Sequence, residues 1–294
     1  MTISTSENTK RIILRRCGLA AKWTVLAAGS IVMLYPLVFM ILVGFFTKEE
    51  YWQTTLGLFP IAQNPTFNNF IAFLNPYYVD EVLKPFLLTL FITVVTTALT
   101  IVTTLFSAYA FGRLRWKGQF AVLFVLLATS MLPTTMTLIP RYLQYSQMHV
   151  VNTIWVYLIG LPAINIMGTF LVTQYFLTIP KSFDESARID GANLMQVMFR
   201  IILPMAKPIF GYLIITTAIG AWNNWQTGFF FTDRTELRTL PAVLSSLALS
   251  SASGIPDYPF MITLGLLITI PALLIYAFFQ KYIVQGLVSS GIKG

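Results

Sequence analysis

Hydrophobic positions along the chain gather into six long runs, at residues 23–46, 86–111, 120–139, 153–176, 209–225 and 261–279, separated by shorter polar stretches. An α-helix needs about 20 apolar residues to cross a bilayer, and each run is close to that length. Because the runs are continuously apolar rather than alternating, they do not suit the strands of a closed barrel. The pattern predicts an all-α integral membrane protein with six transmembrane helices. Both termini then lie on one side.

The longest polar interruption between two runs on that side is 180–208, PKSFDESARIDGANLMQVMFRIILPMAKP. It reads as two short helices joined at an elbow. Ser182 with Glu185, and Asn193 with Gln196, have the spacing of capping boxes, in which each side chain satisfies an orphan donor at a helix start. Gly191 falls where the first helix must end in a left-handed residue. In the second helix Leu194, Val197, Met198, Ile201 and Ile202 form an apolar stripe at helical period. The first helix carries mostly small or charged residues (Asp184, Ser186, Ala187, Arg188, Asp190), suited to a shallow cleft of another protein.

Charge sets the orientation, since Lys and Arg are retained on the cytoplasmic side. With the N-terminus inside, 14 of the 19 basic residues fall inside: Lys10, Arg11, Arg15, Arg16, Lys22, Arg113, Arg115, Lys117, Lys181, Arg188, Arg200, Lys207, Lys281 and Lys293. Five fall outside: Lys48, Lys84, Arg141, Arg234 and Arg238. The assignment makes 1–22 a cytoplasmic N-terminal segment, 23–285 the membrane domain, 180–208 a cytoplasmic loop between the fourth and fifth spans, and 286–294 a cytoplasmic tail. Lys10 to Arg16 followed by an apolar run imitates a signal peptide, but the run is too long for one and no small-residue cleavage pattern follows. A retained signal anchor is expected.

Composition narrows the chemistry. Of 294 residues, 56% are hydrophobic and 10% charged, against about 25% charged for a soluble domain. The net charge of +8 punctuates apolar runs instead of forming the basic face a nucleic-acid binder requires. A single cysteine, Cys17, and a single histidine, His149, exclude a disulfide framework and a multi-Cys/His metal site. No catalytic residue is assigned. The glycine-rich tail is no phosphate loop, because Ile292 stands where the lysine is needed.

Within the spans, Thr89, Thr93, Thr96, Thr97, Thr100, Thr103 and Thr104 suggest helix packing. Pro133, Pro162 and Pro271 each remove a helical donor, which membrane helices tolerate where neighbours or a watery cavity satisfy the freed carbonyls. Asn165 offers an amide for sugar hydroxyls or for a neighbouring helix. Trp222, Asn223, Asn224 and Trp225 combine indoles that stack on sugar rings with amides that bond hydroxyls, or form an interfacial aromatic belt. In the first outer loop, Thr66 is placed to cap a short helix with Phe67, Phe70, Ile71 and Leu74 on one face. The outer loop 227–258 is charged and suited to an external partner.

Glu185-Ser-Ala-Arg-Ile-Asp190-Gly191-Ala192, with Phe199, Pro204 and Pro208 following, resembles the EAA loop of permease subunits in binding-protein-dependent ABC importers, in the carbohydrate-uptake branch. Tyr109-Ala-Phe-Gly-Arg113, Met131-Leu-Pro133, Ile139-Pro140, Trp222-Asn223 and the Gly286 to Gly294 tail extend the match from about residue 86 onward. The resemblance implies that Glu185, Ser186, Ala187, Asp190, Gly191 and Ala192 form a coupling helix in a cleft of an ATPase subunit. It implies that Gly286, Gly291, Lys293 and Gly294 reach toward the ATPase dimer. Implied partners are a second permease, two ATPase subunits and an external solute-binding protein, in a bacterial inner membrane, with ATP and Mg held by the ATPase and no cofactor on this chain. Leu88, Ser186 and Asn224-Trp225 depart from the usual asparagine, alanine and Asp-Phe. The first and last of these leave the substrate open, among them an acidic sugar. The rival from another class is an ion-coupled secondary transporter, against which stands the lack of ionisable residues inside the spans.

Overall fold

The computed structural model describes residues 3–55, 57–71, 82–160, 165–250 and 256–291. Fifteen α-helices occupy them, and no strand occurs among the described residues. The chain divides into two compact units, residues 1–72 with 255–266 and residues 73–254 with 267–294.

In the first unit, α1 (Ile3–Val43) runs as one helix through Pro36. It begins some 20 residues before the expected span, so the N-terminal segment is not a separate coil. Its apolar stretch is uncovered inside the chain, as a lipid-facing helix requires. A turn follows at Gly44 to Phe46, where Asn69 Nδ2 donates to the carbonyls of Gly44 (2.9 Å) and Phe46 (2.8 Å). Thr47 caps α2 (Lys48–Gln53), and Thr66 Oγ1 accepts from Asn68 N–H ahead of α3 (Asn68–Ile71), as the sequence suggests. Phe67 and Ile71 are exposed; Leu74 lies outside the described residues. Trp52 donates its indole N–H to the Pro256 carbonyl at 3.0 Å and packs its ring against Tyr258.

The second unit is built on α4 (Lys84–Gly112), which packs along α8 (Ile166–Thr178) and α12 (Lys207–Trp222). Thr89, Thr93, Thr100 and Thr104 of α4 and Thr169 and Thr173 of α8 are all buried. Small β-branched side chains let helices approach closely where lipid offers no hydrophobic drive for association. Leu105, Ala108 and Tyr109 of α4 meet Val172 and Phe176 of α8 and Phe210 and Leu213 of α12 in one apolar cluster.

Two of the six expected spans are not single helices. The third breaks after α5 (Gln119–Ser130), passes through turns at Pro133 to Leu138, and resumes as α6 (Leu138–Gln147). Pro133 supplies no amide donor, so the chain turns there. The fourth is divided between α7 (Trp155–Leu158) and α8, with Pro162 outside the described residues. Helices of 12 and 13 residues span about 18–20 Å, short of the roughly 30 Å hydrocarbon core. By length and composition three helices suit a crossing, or four if a bent pair counts as one. The count of six unbroken spans is therefore not reproduced.

The expected wet outer loop is instead helical and largely packed. It forms α13 (Gln226–Phe231), a 3-10 turn (Thr235–Leu237) and α14 (Leu240–Ser250). Phe231, Thr232, Thr239, Leu240, Ala242 and Val243 are buried, while Asp233, Arg234 and Glu236 are exposed. Thr89 Oγ1 ties α4 to α14 by accepting from Leu240 N–H at 2.8 Å. The final helix, α15 (Tyr258–Gly291), continues through Pro271 and past the expected start of the tail. Gly286 and Gly291 are thus helical in backbone; Lys293 and Gly294 lie outside the described residues.

Candidate functional site

The polar island folds as two short helices, α9 (Ser182–Ile189) and α10 (Leu194–Val197). Asn193 and Gln196 form the expected capping box: Gln196 N–H donates to Asn193 Oδ1 (2.9 Å) and Asn193 N–H to Gln196 Oε1 (2.8 Å). Gly191 takes φ +82°, and the turn closes with Ala192 N–H on the Ala187 carbonyl at 2.9 Å. The other box does not form. Lys181 already has helical angles and its carbonyl accepts from Glu185 N–H, so Ser182 lies inside the first turn and caps nothing.

Past α10 the stripe winds into a π-helical turn (Met198–Ile202), then α11 (Leu203–Met205). Leu203 N–H bonds five residues back, to Met198. Pro204 and Pro208 lack the N–H groups a continuous helix would use, and at Ala206 the helix 194–205 meets 207–231 at 80°. Val197, Met198 and Ile202 are buried, Ile201 is partly buried, and Leu194 stands 47% exposed, so only part of the stripe faces inward.

The elbow is mounted on the bundle. Ala187 is buried, and Ala192 packs against the same cluster that holds α4, α8 and α12 together. Arg113, just past α4, places Nη1 3.4 Å from Asp184 Oδ2 and donates from the same nitrogen to the Ile179 carbonyl at 2.9 Å. Both side chains are largely buried. Arg113 Nε and Nη2 and Asp184 Oδ1 have no partner. Tyr175 adds a bond to the Met205 carbonyl at 3.2 Å.

Of the six residues expected in the coupling helix, Glu185, Ser186, Asp190 and Gly191 are exposed, Ala192 is half-buried and Ala187 points inward. The outer face also carries apolar side chains that the sequence reading passed over: Phe183, Met195 and, at 86% exposure, Ile189. Their signal was available. Ile189 lies two residues after Ala187, off the buried face of a 3.6-residue period.

The candidate solute residues divide into two groups. Asn165 caps α8, its Oδ1 accepting from Gly168 N–H at 2.8 Å. It borders a cavity of about 260 Å³ with Tyr212, Thr216 and Thr217; Thr217 Oγ1 is buried without a partner. Asn165 Nδ2 has no acceptor among the described residues. Trp222, by contrast, is fully buried, and its indole N–H donates to the Ile268 carbonyl at 2.9 Å, one turn before Pro271. That pairing makes Trp222 a packing group and leaves it no open ring face for stacking. Asn224 accepts from Thr227 N–H (3.2 Å) at the start of α13 and, through its carbonyl, from Thr239 Oγ1 (2.7 Å). Asn223 and Trp225 are exposed, with Trp225 packed against Phe229 and Phe230.

Residues 104–289, which hold the elbow, the Arg113 anchor and the Trp222 to Trp225 cluster, match the family described as binding-protein-dependent transport system inner membrane component. The chain belongs to that family. Among its relatives, the chain is 30% identical over 281 residues to the probable ABC transporter permease protein YurM of Bacillus subtilis, covering 94% of this chain and 89% of that one. It is 27% identical over 265 residues to the arabinooligosaccharides transport system permease protein AraQ of the same organism, covering 90% and 92%. In fold it is similar to a chain of a bacterial ABC transporter involved in the import of the acidic polysaccharide alginate, with a TM-score of 0.75 at 21% identity, covering 91% and 96%. Membership makes this a multi-pass membrane permease of the ABC transporter class, akin to carbohydrate permeases, and a non-catalytic subunit.

Proposed function

We propose that the chain forms, with a second permease, the pathway for a sugar or oligosaccharide delivered by an external solute-binding protein. Its 180–208 elbow docks on a cytoplasmic ATPase subunit through Glu185, Ser186, Asp190 and Gly191, with Ile189 as an apolar contact. Both termini are cytoplasmic in this reading, as the distribution of Lys and Arg favours. The tail residues Gly286, Gly291, Lys293 and Gly294 extend the ATPase contact.

The observation that carries the reading is the mounting of the elbow. Its outer face is free, while Ala187 and the Arg113–Asp184 pair bind its inner side to the cluster shared by α4, α8 and α12. A partner that grips the outer face therefore pulls three packed helices together. Packed interiors respond to such a pull by discrete rearrangement rather than gradual deformation. ATP biases the transporter only if the gripped elbow differs in free energy between its two states.

For the solute, Asn165, Tyr212, Thr216 and Thr217 supply donors and acceptors suited to hydroxyl groups, and Trp225 with Asn223 an exposed ring beside an amide. The similarity to an arabinooligosaccharide permease supports the same class.

The test is a cysteine at Ser186 in a Cys17→Ser background, cross-linked in membranes holding the whole transporter. A product with the ATPase subunit, with a yield that changes on ATP binding, is expected. Labelling of that cysteine from the external side, or sugar uptake that persists with the ATPase removed, overturns the reading.

A further inference from the structure

At the end of α4 the chain folds back on itself before α5 begins. Trp116 N–H donates to Gln119 Oε1 (3.2 Å), Gln119 Nε2 to the Phe111 carbonyl (3.3 Å), and Trp116 Nε1 to the Ala110 carbonyl (3.2 Å). Gly118, at φ +85°, completes the reversal. This hairpin, the end of α8 and Lys181 line an open cavity of about 680 Å³. Its lining is mixed in chemistry. Arg115, Lys117 and Lys181 share it with Phe120, Ala121 and Leu177, all of them exposed, and Trp116, also in the lining, packs on Phe111.

No acidic residue lines the cavity. Arg113 also borders it, but its charge is matched by Asp184. Arg115, Lys117 and Lys181 have no ion-pair partner among the described residues. Three uncompensated cations among apolar side chains, marked by a tryptophan of the kind that settles at headgroup depth, fit one ligand chemistry. It is a phosphate monoanion or diester joined to acyl chains.

We propose that this cavity is a binding site for the headgroup of an anionic phospholipid, with Arg115, Lys117 and Lys181 on the phosphate and Phe120 and Leu177 along the acyl chains. The lipid then bridges α4, α5 and the residue that opens the elbow, so its presence braces the mount of α9. Basic pockets between membrane helices on the cytoplasmic side hold anionic headgroups in this way. Placement on the cytoplasmic side belongs to the reading above; binding is measured in detergent, so a failed orientation and a failed lipid site are told apart.

The experiment takes the whole transporter, delipidated in detergent, and titrates it with phosphatidylglycerol, phosphatidylcholine or inorganic phosphate while native mass spectrometry reads what this chain retains. Arg115→Gln with Lys117→Gln is compared with Arg234→Gln, an exposed basic residue outside any such cluster. Each basic residue near an anionic surface contributes about fivefold in affinity, so the double variant binds phosphatidylglycerol roughly thirtyfold more weakly. The single variant is unchanged, and phosphatidylcholine is not retained. Equal retention of both lipids, an unchanged double variant, or displacement of the lipid by inorganic phosphate at similar concentration overturns the proposal. So does lipid bound only after the partner subunits are removed, since a partner then covers the cavity.

Discussion

Arg113 and Asp184 form a largely buried ion pair, Nη1 to Oδ2 at 3.4 Å, that joins the end of α4 to the first turn of α9. The pair is only partly satisfied, with one carboxylate oxygen and two guanidinium nitrogens unpartnered. Removing one partner of a buried pair leaves the other charge stranded, at a cost of about 3–5 kcal/mol, whereas replacing both with apolar groups is often near neutral. Arg113→Met or Asp184→Leu alone is expected to lower the melting temperature of the purified transporter and its ATP-driven uptake. The double substitution is expected to recover stability. If it recovers uptake as well, the pair serves only to hold the elbow; if uptake stays low, the pair also transmits the movement of α9.

The conformation of Gly191 isolates backbone from contact. Nothing lies within 4 Å of a Cβ built there, yet φ is +82°. Gly191→Ala therefore meets no clash at its Cβ and costs only the left-handed conformation, about 1–2 kcal/mol. The strain is confined to the elbow, so the chain is expected to insert and assemble normally while transport-coupled ATP hydrolysis falls. Subunit pull-down read beside ATPase stimulation by substrate checks this; loss of assembly would place Gly191 in the folding of the chain rather than in its coupling.

The elbow was legible where its chemistry is local. Asn193 with Gln196 and the left-handed Gly191 act over four residues, and both stand as the pattern suggests. Ser182 with Glu185 has the same spacing, but the backbone at Lys181 turns helical one residue early, which spacing does not encode. The third span failed differently. Hydropathy counts apolar side chains and does not see that Pro133 lets the main chain turn, so one run became two helices. Arg113 with Asp184, Thr89 with Leu240, and Trp222 with Ile268 meet across long separations. Residue types alone do not pair them.

Gly228, within α13, is a close-approach glycine. A Cβ there would fall 2.7 Å from Ala242 Cβ, 2.7 Å from the Tyr157 hydroxyl and 3.0 Å from Thr239 N. Two of these belong to backbone or to a methyl fixed on it, and Tyr157 is held by its own bond to the Leu237 carbonyl at 2.8 Å. Little can yield. Gly228→Ala is expected to cost about 1–3 kcal/mol through overpacking, read as a lower unfolding temperature, with the proposed docking of the elbow on the ATPase unchanged.

Trp222 and Trp225 look equivalent in the sequence and are expected to separate in experiment. Trp222→Phe keeps a ring in the buried site but removes the donor to the Ile268 carbonyl, a loss of about 1–3 kcal/mol when the acceptor is left buried. Its effect falls on stability, with the substrate concentration for half-maximal uptake little changed. Trp225→Ala removes a 40% exposed ring held beside Phe229 and Phe230. Stability should move little, and if the proposed solute path holds, half-maximal uptake should require several-fold more sugar, because the proposed stacking face is gone while the polar groups around Asn165 remain. Uptake kinetics and thermal unfolding on the same preparations decide the matter. The opposite assignment, with Trp222→Phe raising the half-maximal concentration and Trp225→Ala unfolding the protein, would remove the exposed indole from the solute path.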